Sequence, residues 1–240
     1  MVDTTIYESQ ALFDLEHFPA PELFEGVVRG WEVLARLVPW LEQHAPEGGA
    51  TRSGVTVMPG AYVGPRVVLG EGTVVEPGAV LLGPAWIGRG CLLRAGCYVR
   101  ENVIVGDKAI LGNSSEFKNC ILFDACEVPH FNYVGDAVLG HHAHLGAGAI
   151  LSNFRLDHAP IRIRQTDGSL LDTGLEKFSA LVGDFCEIGS NSVISPGSVL
   201  GRRTMLYPGT HWQGVLEADR IVKVRQSQMV VERRGGGGSD

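Results

Sequence analysis

Several things are scarce in this chain, and each scarcity removes a class of function. No apolar run approaches the ~20 residues of a membrane-spanning helix, so no membrane partner is expected. The opening MVDTTIYESQALFDLEHF lacks the basic start and apolar core of a secretory leader. The five cysteines (Cys91, Cys97, Cys120, Cys126, Cys186) form no C-x-x-C pair, which weakens zinc and dithiol readings. Their odd number and the missing leader imply reduced thiols and a soluble, cytoplasmic protein. Positive charge is also short. A formal net charge of −7 argues against nucleic acid as a partner, because phosphate binding needs a basic face.

Glycine, in contrast, is abundant: 32 of 240 residues, without the three-residue period of collagen. The excess serves backbone geometry. From Val57 the sequence falls into sixes (VMPGAY, VGPRVV, LGEGTV, VEPGAV and onward to FKNCIL and FDACEV). Each unit begins with an apolar residue, and many carry Gly or Pro soon after. The frame slips by one near Val134, resumes at LGHHAH and LGAGAI, and restarts at Val182. Six matches neither the 3.6 period of a helix nor the 2 of a strand. It fits a prism whose six-residue sides are a short strand plus a corner, with the aliphatic pointing inward and residue i stacking near about i+18. An all-β solenoid is predicted.

Three segments interrupt the period. Residues 1–56 form an N-terminal extension. Within it ELFEGVVRGWEVLARLVPWLEQH (22–44) spaces Leu23, Val27, Trp31, Leu34 and Val38 as an amphipathic helix that Pro39 breaks or kinks. The solenoid is expected over 57–214. Residues 152–180 read as an excursion projecting from it, with Asp167-Gly168 as a hairpin turn and Arg155, Arg162, Arg164 and Lys177 making it basic. Residues 215–240 form a tail, extended or partly helical, and 235–240 (GGGGSD) resemble a flexible linker.

Reactive side chains concentrate in one stretch, Gly112 to Asn153. There EFK (116–118), PHFNYVGD (129–136) and LGAGAILSN (145–153) are followed by a coil restarting at LVGDF (181–185). This set resembles the left-handed β-helix acyltransferases of the hexapeptide-repeat family. Within them it is most similar to the acetyltransferase domain of glucosamine-1-phosphate N-acetyltransferases, from the bifunctional enzymes that make UDP-N-acetylglucosamine. The likeness covers roughly residues 57–212. It implies a left-handed coil, a homotrimer with sites between neighbouring prisms, and acetyl-CoA as cosubstrate. Trp86 and Tyr98 are plausible trimer contacts if they point outward.

Acyl transfer to an amine needs a base for the departing proton and groups that place the acceptor. The resemblance implies His130 as the base; read alone, it is a corner histidine. It implies Tyr133 as a sugar contact, otherwise an aromatic cap, and Lys118 near the sugar phosphate, otherwise a solvated charge. Asn153 matches a residue that orients the reacting groups, otherwise an Asn satisfying a turn. Arg155 is the charge nearest Asn153 for the acceptor's phosphate, and Gly183 and Asp184 fall at the acyl donor. His141, His142 and His144 invite a zinc site, but no spacing converges three ligands within ~2.0–2.1 Å of one point, and no metal is expected.

Two departures stand out: His144 where the bacterial enzymes carry Asn, and Asp184 where they carry Ser. Nothing in 1–56 looks like a nucleotidyltransferase, since no Gly-rich phosphate loop follows a strand. The expected function is an acetyl-CoA-dependent N-acetyltransferase acting on an amino-sugar phosphate, best glucosamine 1-phosphate, without pyrophosphorylase activity. The alternatives are a hexapeptide acyltransferase with another sugar acceptor, or a non-catalytic trimeric regulator that docks through its N-terminal helix.

Overall fold

A computed structural model describes residues 4–51, 53–225 and 227–232; the GGGGSD segment lies outside the described residues. The chain forms the expected β-solenoid, with parallel strands stacked on three faces. One face is a sheet of nine strands, from Thr56–Val57 to Ile221–Val222, and so marks about nine coils. The second and third faces share a sheet because Glu116–Leu122 and Tyr133–Leu139 run without interruption from one face to the other. The hexad apolar residues Val75, Leu81, Leu93, Val99, Leu111 and Phe117 fill the prism interior. The last coil continues to Val222.

Corners stack as regularly as strands. At the corner between third and first faces, Lys108, Ala125, His142 and Phe185 hold φ of 53–59°. Each donates its N–H to a carbonyl one coil below, as Ala125 does to Asp107 at 2.8 Å. A left-handed corner residue is costly for most side chains but is repeated here because the stacked backbone imposes it.

The frame slip lies earlier than Val134. Val99 pairs with Phe117 (18 residues on), but Val103 pairs with Cys120 (17 on). The residue is lost at the corner Lys118-Asn119, where the coil below has the three residues Arg100, Glu101 and Asn102. The next coil keeps the short corner at Gly135-Asp136, since Tyr133 pairs with Ile150 (17 on). Leu122 therefore points inward, and Phe123, which the hexad frame assigns to the interior, points out.

Phe123 is nevertheless buried, because the third face is covered on its outer side. Val68, Ile104, Ile121, Val138, Leu181 and Val199 all point away from the prism into a second apolar core. The N-terminal segment supplies the other half of that core. Phe13, Phe18 and Phe24 pack on Phe123 with ring centroids 5.2, 4.5 and 5.6 Å away. This segment is not the helix predicted over 22–44. It is two 3-10 turns, Pro21–Phe24 and Gly30–Arg36, followed by the α-helix Leu37–His44. Gly26 adopts φ +70 between the two turns. Gly30 passes so close to the sheet that a Cβ would lie 2.8 Å from Leu181 Cδ1. Pro39 is tolerated in the first helical turn, where its missing N–H would have no partner. Leu37 and Leu41 face the core, and Val38 is exposed.

The excursion does not project. Its hairpin, Arg162–Arg164 with Leu170–Asp172, folds back on the third face and buries Ile161 and Ile163 beside the N-terminal segment. Tyr7 Oη donates to Gln165 Oε1 at 3.1 Å, joining the two covers. Trp86 points outward as the trimer expectation required, but it meets this chain's own Trp40, with centroids 6.1 Å apart. Tyr98, on the second face, is exposed.

Asp184 anchors the N-terminal segment. Its side chain is 1% exposed. It accepts the N–H groups of Asp14 and His141, both at 2.8 Å, with the Arg202 guanidinium 3.4 Å away. Nearby, the His17 ring stacks on His141 at 3.8 Å. Burial first, then the His17 and His142 charges, hold the His141 imidazole below its ordinary range. Unfolded His141 takes its proton near pH ~6.5 and the folded form only at lower pH, so stability falls as pH drops below about 6.5. Burial raises Asp124 and Asp184, which act in the opposite sense nearer the ordinary carboxylate range. Amides of residues 13–18 are expected to exchange faster, relative to the solenoid core, at pH 5.5 than at 7.5. His141→Gln should flatten that difference; an unchanged profile would exclude His141 as the cause.

Candidate functional site

His130 sits at the corner between the first and second faces, at the end of the strand Glu127–His130. Its backbone is held twice: its N–H donates to Asn132 Oδ1 at 3.0 Å, and its carbonyl accepts from Gly148 N–H at 3.0 Å. Asn132 is buried and donates in turn to the carbonyls of Gly146 and Ala149, at 2.8 and 3.2 Å. A Cβ on Gly112, one coil below, would overlap the Pro129 backbone, so glycine is required beside the His130 strand. The imidazole is exposed, with no hydrogen-bond partner among the described residues. Phe131, beside it at φ 53, is 60% exposed.

Tyr133 follows on the second face, and its hydroxyl reaches the opposite corner. There Asn153 Nδ2 donates to Tyr133 Oη at 3.1 Å and to Asp136 Oδ2 at 2.5 Å. Asn119 Nδ2 donates to the other carboxylate oxygen of Asp136 at 2.6 Å. The Tyr133 ring crosses Gly135, where a Cβ would overlap the hydroxyl. Burial first, then the Asp136 and Glu116 charges, push the Tyr133 phenol up, so it keeps its proton at neutral pH.

Both ends of the excursion are tied here. Phe178 N–H donates to the Asn153 carbonyl at 3.1 Å, and Ser179 N–H to the Asp136 carbonyl at 2.9 Å. Lys118 occupies the same corner, in register with Gly135. Lys177 lies 6.0 Å from the Phe154 ring. The cluster therefore occupies the two short corners and the root of the excursion.

The other expected site residues lie apart from it or are engaged. Arg155 forms a two-bonded fork with Asp157. Gly183 continues the backbone ladder to Leu200 at 2.8 Å, and the Asp184 carboxylate is enclosed under the N-terminal segment. Burial opposes a charge at Asp184, and the Asp14 and His141 N–H groups with the Arg202 guanidinium offset it. His144 pairs with Glu187 on the first face at 2.8 Å, while His141 and His142 belong to the corner between third and first faces. Among the described residues no three His, Cys, Asp or Glu side chains gather as a metal set. All five thiols are buried and raised, Cys186 to about 11 and Cys91 to about 12, so neither of these two is a thiolate at neutral pH. A groove of about 840 Å³, lined by His17, Arg89, Lys108, Asp124, His141 and His142, lies at that same distant corner, not at His130 or Asn153. Its Arg89 is already paired with Asp107 at 2.7 Å.

Sequence reading missed Asp136, Asn119 and Asn132. Asp136 and Asn132 stood inside PHFNYVGD and Asn119 just after EFK, with only their residue type to mark them.

The family model described as bacterial transferase hexapeptide (six repeats) matches residues 51–83. A bifunctional sugar-1-phosphate nucleotidylyltransferase/acetyltransferase of Sulfurisphaera tokodaii is 31% identical over 96 residues, 40% of this chain and 24% of that protein. The bifunctional protein GlmU of Methanococcus maripaludis is 28% identical over 121 residues, 50% of this chain and 29% of its own length. A putative uncharacterized acetyltransferase, YaiX, of Escherichia coli is 31% identical over 95 residues, 40% of this chain and 41% of that protein. The chain thus spans about a quarter to two fifths of the length of these relatives. The six-residue repeat and the coil are similar to those of the hexapeptide-repeat transferases, whose family model matches 33 of the 240 residues. Within that class the chain is distantly similar to the GlmU-like bifunctional nucleotidyltransferase/acetyltransferases. No helix among the described residues is long and apolar enough to cross a membrane.

Proposed function

We propose that this chain transfers an acetyl group from acetyl-CoA to the amine of an amino-sugar phosphate, with glucosamine 1-phosphate the first acceptor to test. The observation that carries the reading is the cluster Tyr133–Asn153–Asp136, built where two coils are one residue short and followed from the coil that presents His130. The exposed imidazole of His130 takes the proton of the attacking amine. Asn153 and Tyr133 hold the sugar, and Lys118 and Lys177 are the cations available at that corner for its phosphate. Arg155 is bound by Asp157, which makes it the weaker phosphate candidate. Gly183 and Asp184 are poor acetyl-CoA contacts, because their N–H groups already donate to the Leu200 and Leu12 carbonyls and the Asp184 carboxylate is enclosed.

The regulatory alternative loses support from one feature: most of the large apolar side chains of the N-terminal segment are packed against its own solenoid. The test is calorimetric titration with coenzyme A, then thiol release with glucosamine 1-phosphate and other amino sugars. Saturable coenzyme A binding and turnover are expected. Binding without turnover on any amino-sugar phosphate would reject the acceptor, and no binding would reject the enzyme.

A homotrimer belongs to the same proposal. With the third face sealed, the first and second faces and the His130 ridge remain for neighbouring copies. Light scattering should report three times 25.8 kDa. A monomer at micromolar concentration would remove the intersubunit site.

A further inference from the structure

We infer that Asp136 sets the hydrogen-bond polarity of the Tyr133–Asn153 pair, so that this corner accepts a hydrogen bond from a ligand amine or hydroxyl at Asn153 Oδ1 and donates one from Tyr133 Oη. The identity of the ligand rests on the amino-sugar reading above; the polarity rests on the hydrogen-bond geometry.

A carboxylate can only accept. Asp136 is 4% exposed, and each of its oxygens takes one amide, Asn119 Nδ2 at 2.6 Å and Asn153 Nδ2 at 2.5 Å. Turning the Asn153 amide over would press its carbonyl oxygen against a buried charge. Its second N–H goes to Tyr133 Oη at 3.1 Å, so both donors are used. Only Oδ1 is left, and it has no protein partner among the described residues. Tyr133, accepting from Asn153 and retaining its proton, has its O–H left to donate.

A brace at the root of the excursion would not need a charge. A buried carboxylate is costly unless fully hydrogen-bonded, and none of the ion pairs among the described residues involves Asp136. A neutral amide would cost less to bury, but it could accept on one atom only. One of the two asparagines would then be free to turn. What the charge adds is a single permitted orientation of Asn153. The ligand group at that point must therefore carry a donor, as the amine of an amino sugar does, with an oxygen beside it to accept from Tyr133.

Two measurements test this. In [15N]asparagine-labelled wild type, the side-chain amide of Asn153 should exchange slowly with solvent. An Asn153 amide exchanging as fast as an exposed one overturns the inference without any variant. In Asp136→Asn, compared with wild type, binding of glucosamine 1-phosphate and 2-deoxyglucose 1-phosphate is measured by calorimetry. The two probes differ in whether a donor is present at the second carbon. Wild type should prefer the amine by about tenfold or more. The variant should lose most of that preference while coenzyme A binding and melting temperature hold. Equal weakening toward both probes would mean a brace only, and an undiminished preference would mean no polarity role. If wild type binds neither sugar phosphate, the acceptor reading fails, and the amide exchange alone decides the role of Asp136.

Discussion

Replacing His130 with Ala is expected to lower acetyl transfer by ~10²–10⁴-fold, mainly in turnover. The attacking amine must lose a proton, and His130 is the imidazole at the corner preceding the Tyr133–Asn153 cluster. The other histidines of this stretch are elsewhere. His144 is paired with Glu187, and His141 is stacked under His17 at another corner. Fold effects should be small, because the His130 ring is exposed and its strand is held through the backbone by Asn132 and Gly148. Coenzyme A binding and the trimer should therefore persist. Lys118→Ala should instead raise the acceptor's KM, since a phosphate contact acts before the transition state. Steady-state kinetics of both variants, following thiol release, separate the two effects. Retention of more than about a tenth of wild-type turnover in His130→Ala would end its assignment as general base.

Phe123→Ala is expected to cost about 3–5 kcal/mol of stability. The ring is fully buried between the solenoid and Phe13, Phe18 and Phe24. Removing it leaves a cavity lined by three aromatics on a segment built mostly of short 3-10 turns, with little regular structure of its own. The solenoid interior, filled by Leu122 and its neighbours, loses nothing. Loss should therefore appear first as faster amide exchange in residues 13–24 and then as a lower midpoint in denaturant. A change below about 1 kcal/mol would show that the segment is held by Asp184 and the helix Leu37–His44 rather than by this cluster.

The contrast between Leu122 and Phe123 shows where the sequence could be read and where it could not. The six-residue period is local chemistry: an aliphatic that must face inward, then a corner that glycine or a short polar residue tolerates. That is enough to identify a stacked prism, and to find the coils in which reactive residues gather. A missing residue is harder to see. Both Leu122 and Phe123 suit the interior, and only the pairing of Val103 with Cys120 decides between them.

The covered third face left a trace that hexad counting passes over. Its strands read VVL, AWI, VIV and AVL, apolar at all three positions, as expected for a sheet buried on both sides. Some first-face strands, such as His144–Leu145 and Glu187–Ile188, are apolar only on the inward side. What covers that face, and with it the fate of Trp86 and of the excursion, depends on contacts between residues far apart in the chain, such as Trp40 with Trp86. Tyr7 with Gln165 is another such contact.

The charges divide in the same way. By itself the sequence determined a hexapeptide solenoid and the Gly112–Asn153 stretch in which its reactive side chains gather, because each is written in neighbouring positions. Tertiary structure alone decided that Asp184 anchors the N-terminal segment while Asp136 grips two asparagines. A carboxylate's role is set by the donors that reach it in space, and Asp14, His141, Asn119 and Asn153 reach theirs only when the coils are stacked.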